Sequence, residues 1–152
     1  MIIRNAENND ALKILDMQKL AYESEARRYN DFEIPPLHET VKALLADIRS
    51  NTVLVAERGD HIIGAVRGLL DGDTCRVGRL AVHPDAQGSG LGELLMRELE
   101  AQFPHAGRFE LFTGHLSERN LHIYRKLGYV EFRRQVLHER LTFVFMEKLM
   151  GS

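Results

Sequence analysis

The sequence predicts a single α/β domain built on one mixed central sheet. Three observations carry that reading. First, 152 residues are the size of one domain, and 44% apolar against 28% charged residues fill one core without disulfides or metals. Second, helical and strand-like stretches interleave along the whole chain, with no linker, repeat or low-complexity segment between them. Third, three strand signals follow one another too closely for crossovers, whereas the later strands are separated by helices. The expected order is β-α-α-β-β-β-α-β-α-β-β over residues 1–150. Gly151-Ser152 has the look of a cloning remnant and carries no weight.

Each element has its own signal. Ile2-Ile3-Arg4 reads as a short strand, and Asn8, Asn9 and Asp10 offer caps for a helix over Ala11 to Arg28. Leu12, Leu15, Lys19, Tyr22 and Ala26 are three or four apart and are expected to face inward. Pro35-Pro36 separates this helix from a second one over Glu39 to Ile48, with Val41, Leu44, Leu45 and Ile48 inward. Thr52 to Glu57, His61 to Val66 and Thr74 to Val82 then form an antiparallel meander, turned at Arg58-Gly59-Asp60 and Asp71-Gly72-Asp73. A helix buries Leu91, Leu94, Leu95 and Leu99 and ends near Phe103-Pro104. Phe109 to Thr113 is a strand, Glu118 to Lys126 a helix stopped by Gly128, and Tyr129 to Arg134 and Leu141 to Met146 are closing strands.

Composition removes several classes of function. Twenty Lys and Arg against twenty-two Asp and Glu give a net charge of −2, which argues against a nucleic-acid partner. No run of about 18 apolar residues exists to span a membrane, and the N-terminus has too short an apolar run for a signal peptide. The one cysteine, Cys75, fits a reducing compartment, so the expected location is cytoplasmic. No metal site is expected, because the histidines show neither His-x-x-x-His nor His-Glu-x-x-His spacing. Ser89 and Ser117 lie in no nucleophile elbow.

The densest signal is Gln87-Gly88-Ser89-Gly90-Leu91-Gly92, between the fourth strand and the third helix. Glycines there let the backbone approach a ligand, and the free N–H groups of a starting helix favour a phosphate. From the glycines alone, a pyrophosphate cradle and an empty connection both stay open. The third glycine comes one position too early for a dinucleotide fingerprint, and no Gly-Lys-Ser or Gly-Lys-Thr of a Walker loop is present.

The stretch Arg79-Leu80-Ala81-Val82-His83-Pro84-Asp85-Ala86-Gln87-Gly88-Ser89-Gly90-Leu91-Gly92 resembles the acyl-CoA motif of the GNAT N-acetyltransferase superfamily. Gln87, Gly90 and Gly92 satisfy its pattern, and Asn120 to Tyr129 resembles the downstream signature. The resemblance covers nearly the whole chain. It implies an acetyl-CoA-dependent N-acetyltransferase with acetyl-CoA as co-substrate, and a fourth and fifth strand that splay apart. Gly78 is a candidate for the bulge that would bend the fourth strand.

By that resemblance, Gln87, Gly88, Ser89, Gly90, Leu91 and Gly92 hold the pyrophosphate, and Leu80, Ala81 and Val82 meet the acetyl group and the pantetheine arm. Asn120 lies on that arm, and Tyr124 near the sulfur is the candidate general acid. Taken alone, Tyr124 reads first as a core aromatic packed against the sheet, and the resemblance reverses that preference. The strand carboxylate that many relatives use as general base is missing from Cys75-Arg76-Val77-Gly78-Arg79. Glu23, Glu25 and His115 are substitutes, with Glu25 and His115 retained as catalytic candidates. Tyr22 to Phe32 is expected to form the acceptor wall, for a small-molecule or peptide amine, and a homodimer through the closing strands is in keeping with the family. The missing carboxylate also leaves open a second reading, a non-catalytic acyl-CoA sensor.

Overall fold

The computed structural model describes residues 1–151, so Ser152 lies outside it. Strands β1 (Ile2–Asn5), β2 (Thr52–Arg58), β3 (His61–Asp71), β4 (Thr74–Val82), β5 (Arg108–Gly114), β6 (Val130–His138) and β7 (Leu141–Leu149) form one sheet. Their order is β1-β2-β3-β4-β5-β7-β6. Helices α1 (Ala11–Tyr29) and α2 (Val41–Ser50) cover one face, and α3 (Leu91–Ala101) and α4 (Glu118–Lys126) the other. Strand alternation sends Val53 and Val55 towards α1, and Leu54 and Ala56 towards α3, which gives a core on each face.

Every pairing is antiparallel except β4 with β5, whose connection runs through α3. That parallel ladder is short. Only Thr74, Cys75 and Arg76 pair, with Arg108, Phe109 and Glu110, and beyond them the strands separate. A bulge accompanies the separation. Arg67 faces Gly78 while Ala65 faces Ala81, so Arg79 and Leu80 together stand opposite Val66. The left-handed residue of this bulge is Arg79 (φ +53°), not Gly78 as the sequence suggests. Glycine was the natural guess for such a backbone, but the pairing on both sides holds an arginine there.

The first helix keeps part of its expected face, with Leu15 and Ala26 buried and Tyr22 half-buried, but not all of it. Leu12 is 66% exposed and Lys19 is exposed, while Ala11, Ile14, Leu15, Gln18, Ala21 and Tyr29 are buried. Gln18 explains the difference. Its amide donates to Pro36 O (3.1 Å) and Glu39 Oε1 (2.9 Å) and accepts from Arg67 Nη2 (3.0 Å), so a polar residue sits in the core at little cost. Val41 and Leu94, also expected inside, are exposed, and Leu44, Leu95, Met96 and Leu99 fill those interfaces. Asp10 caps the turn before α1 by accepting from Glu7 N–H, and it pairs with Arg4 at 2.8 Å, which fastens the helix start to β1.

Arg67 is the centre of a buried network. Its two terminal nitrogens fork onto Glu39 (2.5 and 2.7 Å), and one also reaches Asp47 at 3.0 Å. This joins β3 to α2 and to the segment before it. Burial pushes the Glu39 carboxyl up, but hydrogen bonds from Arg67 and Gln18 outweigh it and hold the group below its ordinary value of 4.5. A carboxyl depressed on folding stabilises above its unfolded value and stops doing so as pH falls through the folded one. Glu39→Ala is therefore expected to cost ~3 kcal/mol in urea unfolding at pH 7, because Asp47 is then the one carboxylate left to pair with the buried Arg67. That difference between wild type and variant should narrow as pH is lowered below about 4.5.

Candidate active site

Ala81 pairs with Ala65, and His83 N–H bonds Ile63 O at 2.8 Å, so both point towards β3. By strand alternation Leu80 and Val82 direct their amide groups the other way, into the opening between β4 and β5. Their carbonyls have side-chain partners: Tyr22 Oη donates to Leu80 O (2.9 Å) and Gln87 Nε2 to Val82 O (3.3 Å).

Beyond β4, a short turn at Pro84–Ala86 leads into the glycine segment. Gly88 (φ +78°) and Gly90 (φ +86°) take conformations that side chains avoid, and a Cβ at either would enter open space. No side chain caps α3, and its first internal bond is Leu94 N–H to Gly90 O. The amides from Gly88 to Glu93 are thus free for an anion at a helix N-terminus, while Gln87 N–H turns back to Pro84 O at 3.5 Å. Gly92 serves a different purpose. A Cβ there would stand 3.1 Å from Ile123 Cδ1, so this glycine lets α3 and α4 pack closely. Ser89 turns its hydroxyl back onto Ala86 O, and the Gln87 side chain also accepts from Arg119.

Two clefts open on the two sides of the separated strands. The first, of about 830 Å³, is lined by the glycine turn, by Leu80, Ala81 and Val82, and by α4. The second, of about 530 Å³, is lined by the α1–α2 connection, by the bulge and by the ends of β5 and β7. Four residues line both: Tyr22, Glu25, Leu80 and Asn120. Tyr124, one helical turn beyond Asn120, lines the second cleft and is 4% exposed. Burial, and then the neighbouring Tyr22 and Glu25, push its phenol well above the ordinary tyrosine range. It is a neutral hydrogen-bond donor throughout the physiological range.

Glu25 stands at the end of a directed chain of hydrogen bonds. Leu116 N–H donates to Tyr29 Oη (2.8 Å), Tyr29 and Ser117 hydroxyls are 2.7 Å apart, and Ser117 Oγ donates to Glu25 Oε2 (2.8 Å). Since the Ser117 proton is spent on Glu25, Tyr29 must donate to Ser117. Arg28 pairs with the other Glu25 oxygen at 2.9 Å. The sequence reading set Ser117 aside for want of a nucleophile elbow. Its part here is to hold a carboxylate, and the signal for it was the shared α1 face of Tyr22, Glu25 and Tyr29.

The other candidate bases fare differently. Glu23 is exposed and lines neither cleft. His115 also lines neither. Its Nδ1 accepts from Thr142 N–H (3.0 Å) and its ring packs 5.7 Å from that of Tyr29, so β7 holds it away from the opening. Cys75 lies in the core at the closed end of the wedge, and a Cβ on Gly68 would stand 3.2 Å from its sulfur.

A sheet parted at a bulge, with an uncapped helix aimed at the gap and a cleft on each side, defines the frame of an acyltransferase. The chain belongs to the acetyltransferase (GNAT) family: the model of the acetyltransferase (GNAT) domain matches residues 49–131, and by that membership the protein is an acyltransferase. Among curated proteins, none matches the sequence. Solved structures share the fold throughout. Ribosomal-protein-alanine N-acetyltransferase from Brucella melitensis is 22% identical, with 99% of this chain and 100% of that one covered, at a TM-score of 0.76. The paia N-acetyltransferase from Thermoplasma acidophilum, in complex with coenzyme A, is 16% identical over 98% of both chains, at a TM-score of 0.80. The yncA protein from Salmonella typhimurium, solved with acetyl-CoA, is 20% identical over 100% of this chain and 95% of that one, at 0.79.

Gly114, the last residue of β5, makes room for the Tyr29 ring, since a Cβ there would overlap its hydroxyl. Gly114→Ala is accordingly expected to lower stability by ~1–3 kcal/mol through overpacking. Chemical unfolding measures it, and Tyr29→Phe in the same background should recover part of the loss by shrinking the clash.

Proposed function

We propose that the chain transfers the acetyl group of acetyl-CoA to the primary amine of a small molecule or peptide, directly, with both substrates bound at once. The observation that carries this is the shared wall. Tyr22, Glu25, Leu80 and Asn120 border both clefts, so two ligands entering from opposite sides meet there. Acetyl-CoA supplies the activated thioester. The residues present fit it: the open positions beside Gly88 and Gly90 and the uncapped start of α3 suit its pyrophosphate, held by amides from Gly88 to Gly92, with Gln87 bordering it through its side chain. In this reading the Leu80 and Val82 amides bind the pantetheine arm as a strand would, and one of them polarises the acetyl carbonyl. Asn120 borders the same arm.

Glu25 is the base we assign. An alkyl ammonium with a pKa near 10.4 must lose a proton before it can attack, and Glu25 is the carboxylate that borders both clefts. Tyr29 and Ser117 keep its Oε2 in one orientation. Tyr124 acts on the leaving side. A phenol raised above its ordinary value of about 10 is a weaker acid than a thiol near 8.5, so a full proton handover to the thiolate is uphill. Its contribution is a hydrogen bond that strengthens as charge gathers on sulfur.

Two experiments test the reading. CoA at about 100 times its dissociation constant should add ~2.7 kcal/mol to unfolding stability. Gly90→Asp should abolish that increment, because its carboxylate would occupy the phosphate position. The free variant should still fold, since an aspartate can cap the exposed amides itself. In the second, thiol release is followed with a panel of amines. Tyr124→Phe and Glu25→Gln should each lower turnover by roughly 10²–10⁴ while leaving the CoA increment in place. Full activity in either variant removes that residue's role.

A further inference from the structure

The acceptor-side cleft contains one cation whose hydrogen-bonding capacity is unclaimed. Arg79, left-handed at the bulge, lines this cleft, yet its guanidinium makes no hydrogen bond. Its one ionic contact is Nε to Glu39 Oε1 at 3.6 Å, too long to count as a bond. Glu39 has little left to offer it, being forked by Arg67 and bonded by Gln18. The other arginines of the cleft are engaged, Arg67 with Glu39 and Asp47 and Arg76 with Asp71 at 3.2 Å. Its Nε is buried without a hydrogen-bond partner, as is that of Arg67, but Arg79 alone of the two bonds no protein acceptor through its other nitrogens.

The opposite charge lies close by. The Tyr22 phenol, pushed up to about 12 chiefly by burial, is drawn down by Arg79 and pushed up by Glu25, so both charges act on one hydroxyl. Among the remaining carboxylates of the cleft, Asp31 is held by His138 at 2.8 Å. The walls between are apolar. Leu69, Phe112 and Leu137 are 44%, 52% and 49% exposed, and all three line this cleft together with Phe143.

Resting on the acetyltransferase reading above, we infer that the acceptor is a free amino acid with an apolar side chain, its carboxylate forked by Arg79 and its amine presented to Glu25. A planar guanidinium binds a carboxylate with two parallel hydrogen bonds, which an uncharged amide cannot reproduce. Arg79 and Glu25 line the same cleft, so an acceptor that carries both a carboxylate and an amine can meet the two together. A peptide N-terminus carries no carboxylate there, and would leave Arg79 as it stands.

The test compares leucine with leucinamide and phenylalanine with phenylalaninamide by titration calorimetry, with CoA present and absent. Each free acid should bind roughly 10–100-fold tighter than its amide. Arg79→Gln should bring each pair to within about twofold, and Arg79→Lys should restore part of the preference. Equal binding of acid and amide by the wild-type protein overturns the inference, as does a preference that survives in Arg79→Gln. Tighter binding of leucyl-leucinamide than of leucine also overturns it, in favour of a peptide terminus. Because binding is read directly, loss of the carboxylate preference with normal CoA binding refutes this inference alone. A protein that keeps the preference but transfers no acetyl group refutes the catalytic reading instead.

Discussion

Everything functional in this fold depends on the interruption of hydrogen bonding between β4 and β5. After three paired residues the ladder stops, and one extra residue in β4, opposite Val66, turns the strand's amides out of the sheet. Holding Arg79 left-handed costs on the order of 1–2 kcal/mol. The β3 ladder on both sides of the bulge holds it there. The result is polar backbone inside a domain with no strand to satisfy it. Such groups are rare in folded proteins because they are expensive, and a ligand with amides of its own is their natural partner.

Two hydrogen-bonded assemblies flank that gap and do separate jobs. On the α1 side, Leu116, Tyr29, Ser117 and Glu25 run in one donor direction, which aims a carboxylate without neutralising it. Behind the wall, Gln18, Arg67, Glu39 and Asp47 form a closed set that exhausts most of its own donors and acceptors. The first fixes the orientation of one carboxylate, and the second ties α2 to the sheet. Arg79 stands between them and belongs to neither.

Much of this was legible in the sequence where the signal is local. The glycine turn, the ends of β4 and the extent of α4 follow from residues within a few positions of one another. What escaped depends on partners far along the chain. Gln18 counts as polar until Arg67, 49 residues away, is seen to satisfy it, and so the inward face of α1 includes it where the sequence pattern favours Leu12 and Lys19. Gly78 outranks Arg79 as a bulge residue on propensity alone, because the pairing that forces the conformation lies in β3. His115 outranks Ser117 as chemistry, yet the tertiary fold directs Ser117 to Glu25 and ties His115 to β7.

The closed network around Arg67 has a consequence for how such a protein changes over time. It clamps the acceptor wall from behind, through side chains that do not belong to the opened strands. Among the residues that face the cleft from the α1–α2 connection, Glu39 belongs to the clamp, whereas Glu33, Ile34 and Pro35 do not and can be exchanged without loosening it or the glycine turn. Family likeness would persist in one part of the chain while the other drifts. The match to the family begins at residue 49, after both α1 and that connection, and leaves out Tyr22, Glu25, Tyr29 and Glu39. That boundary falls almost at the start of β2, so the stretch that carries the family likeness holds the bulge and the glycine turn, while the helix with Tyr22, Glu25 and Tyr29 lies outside it.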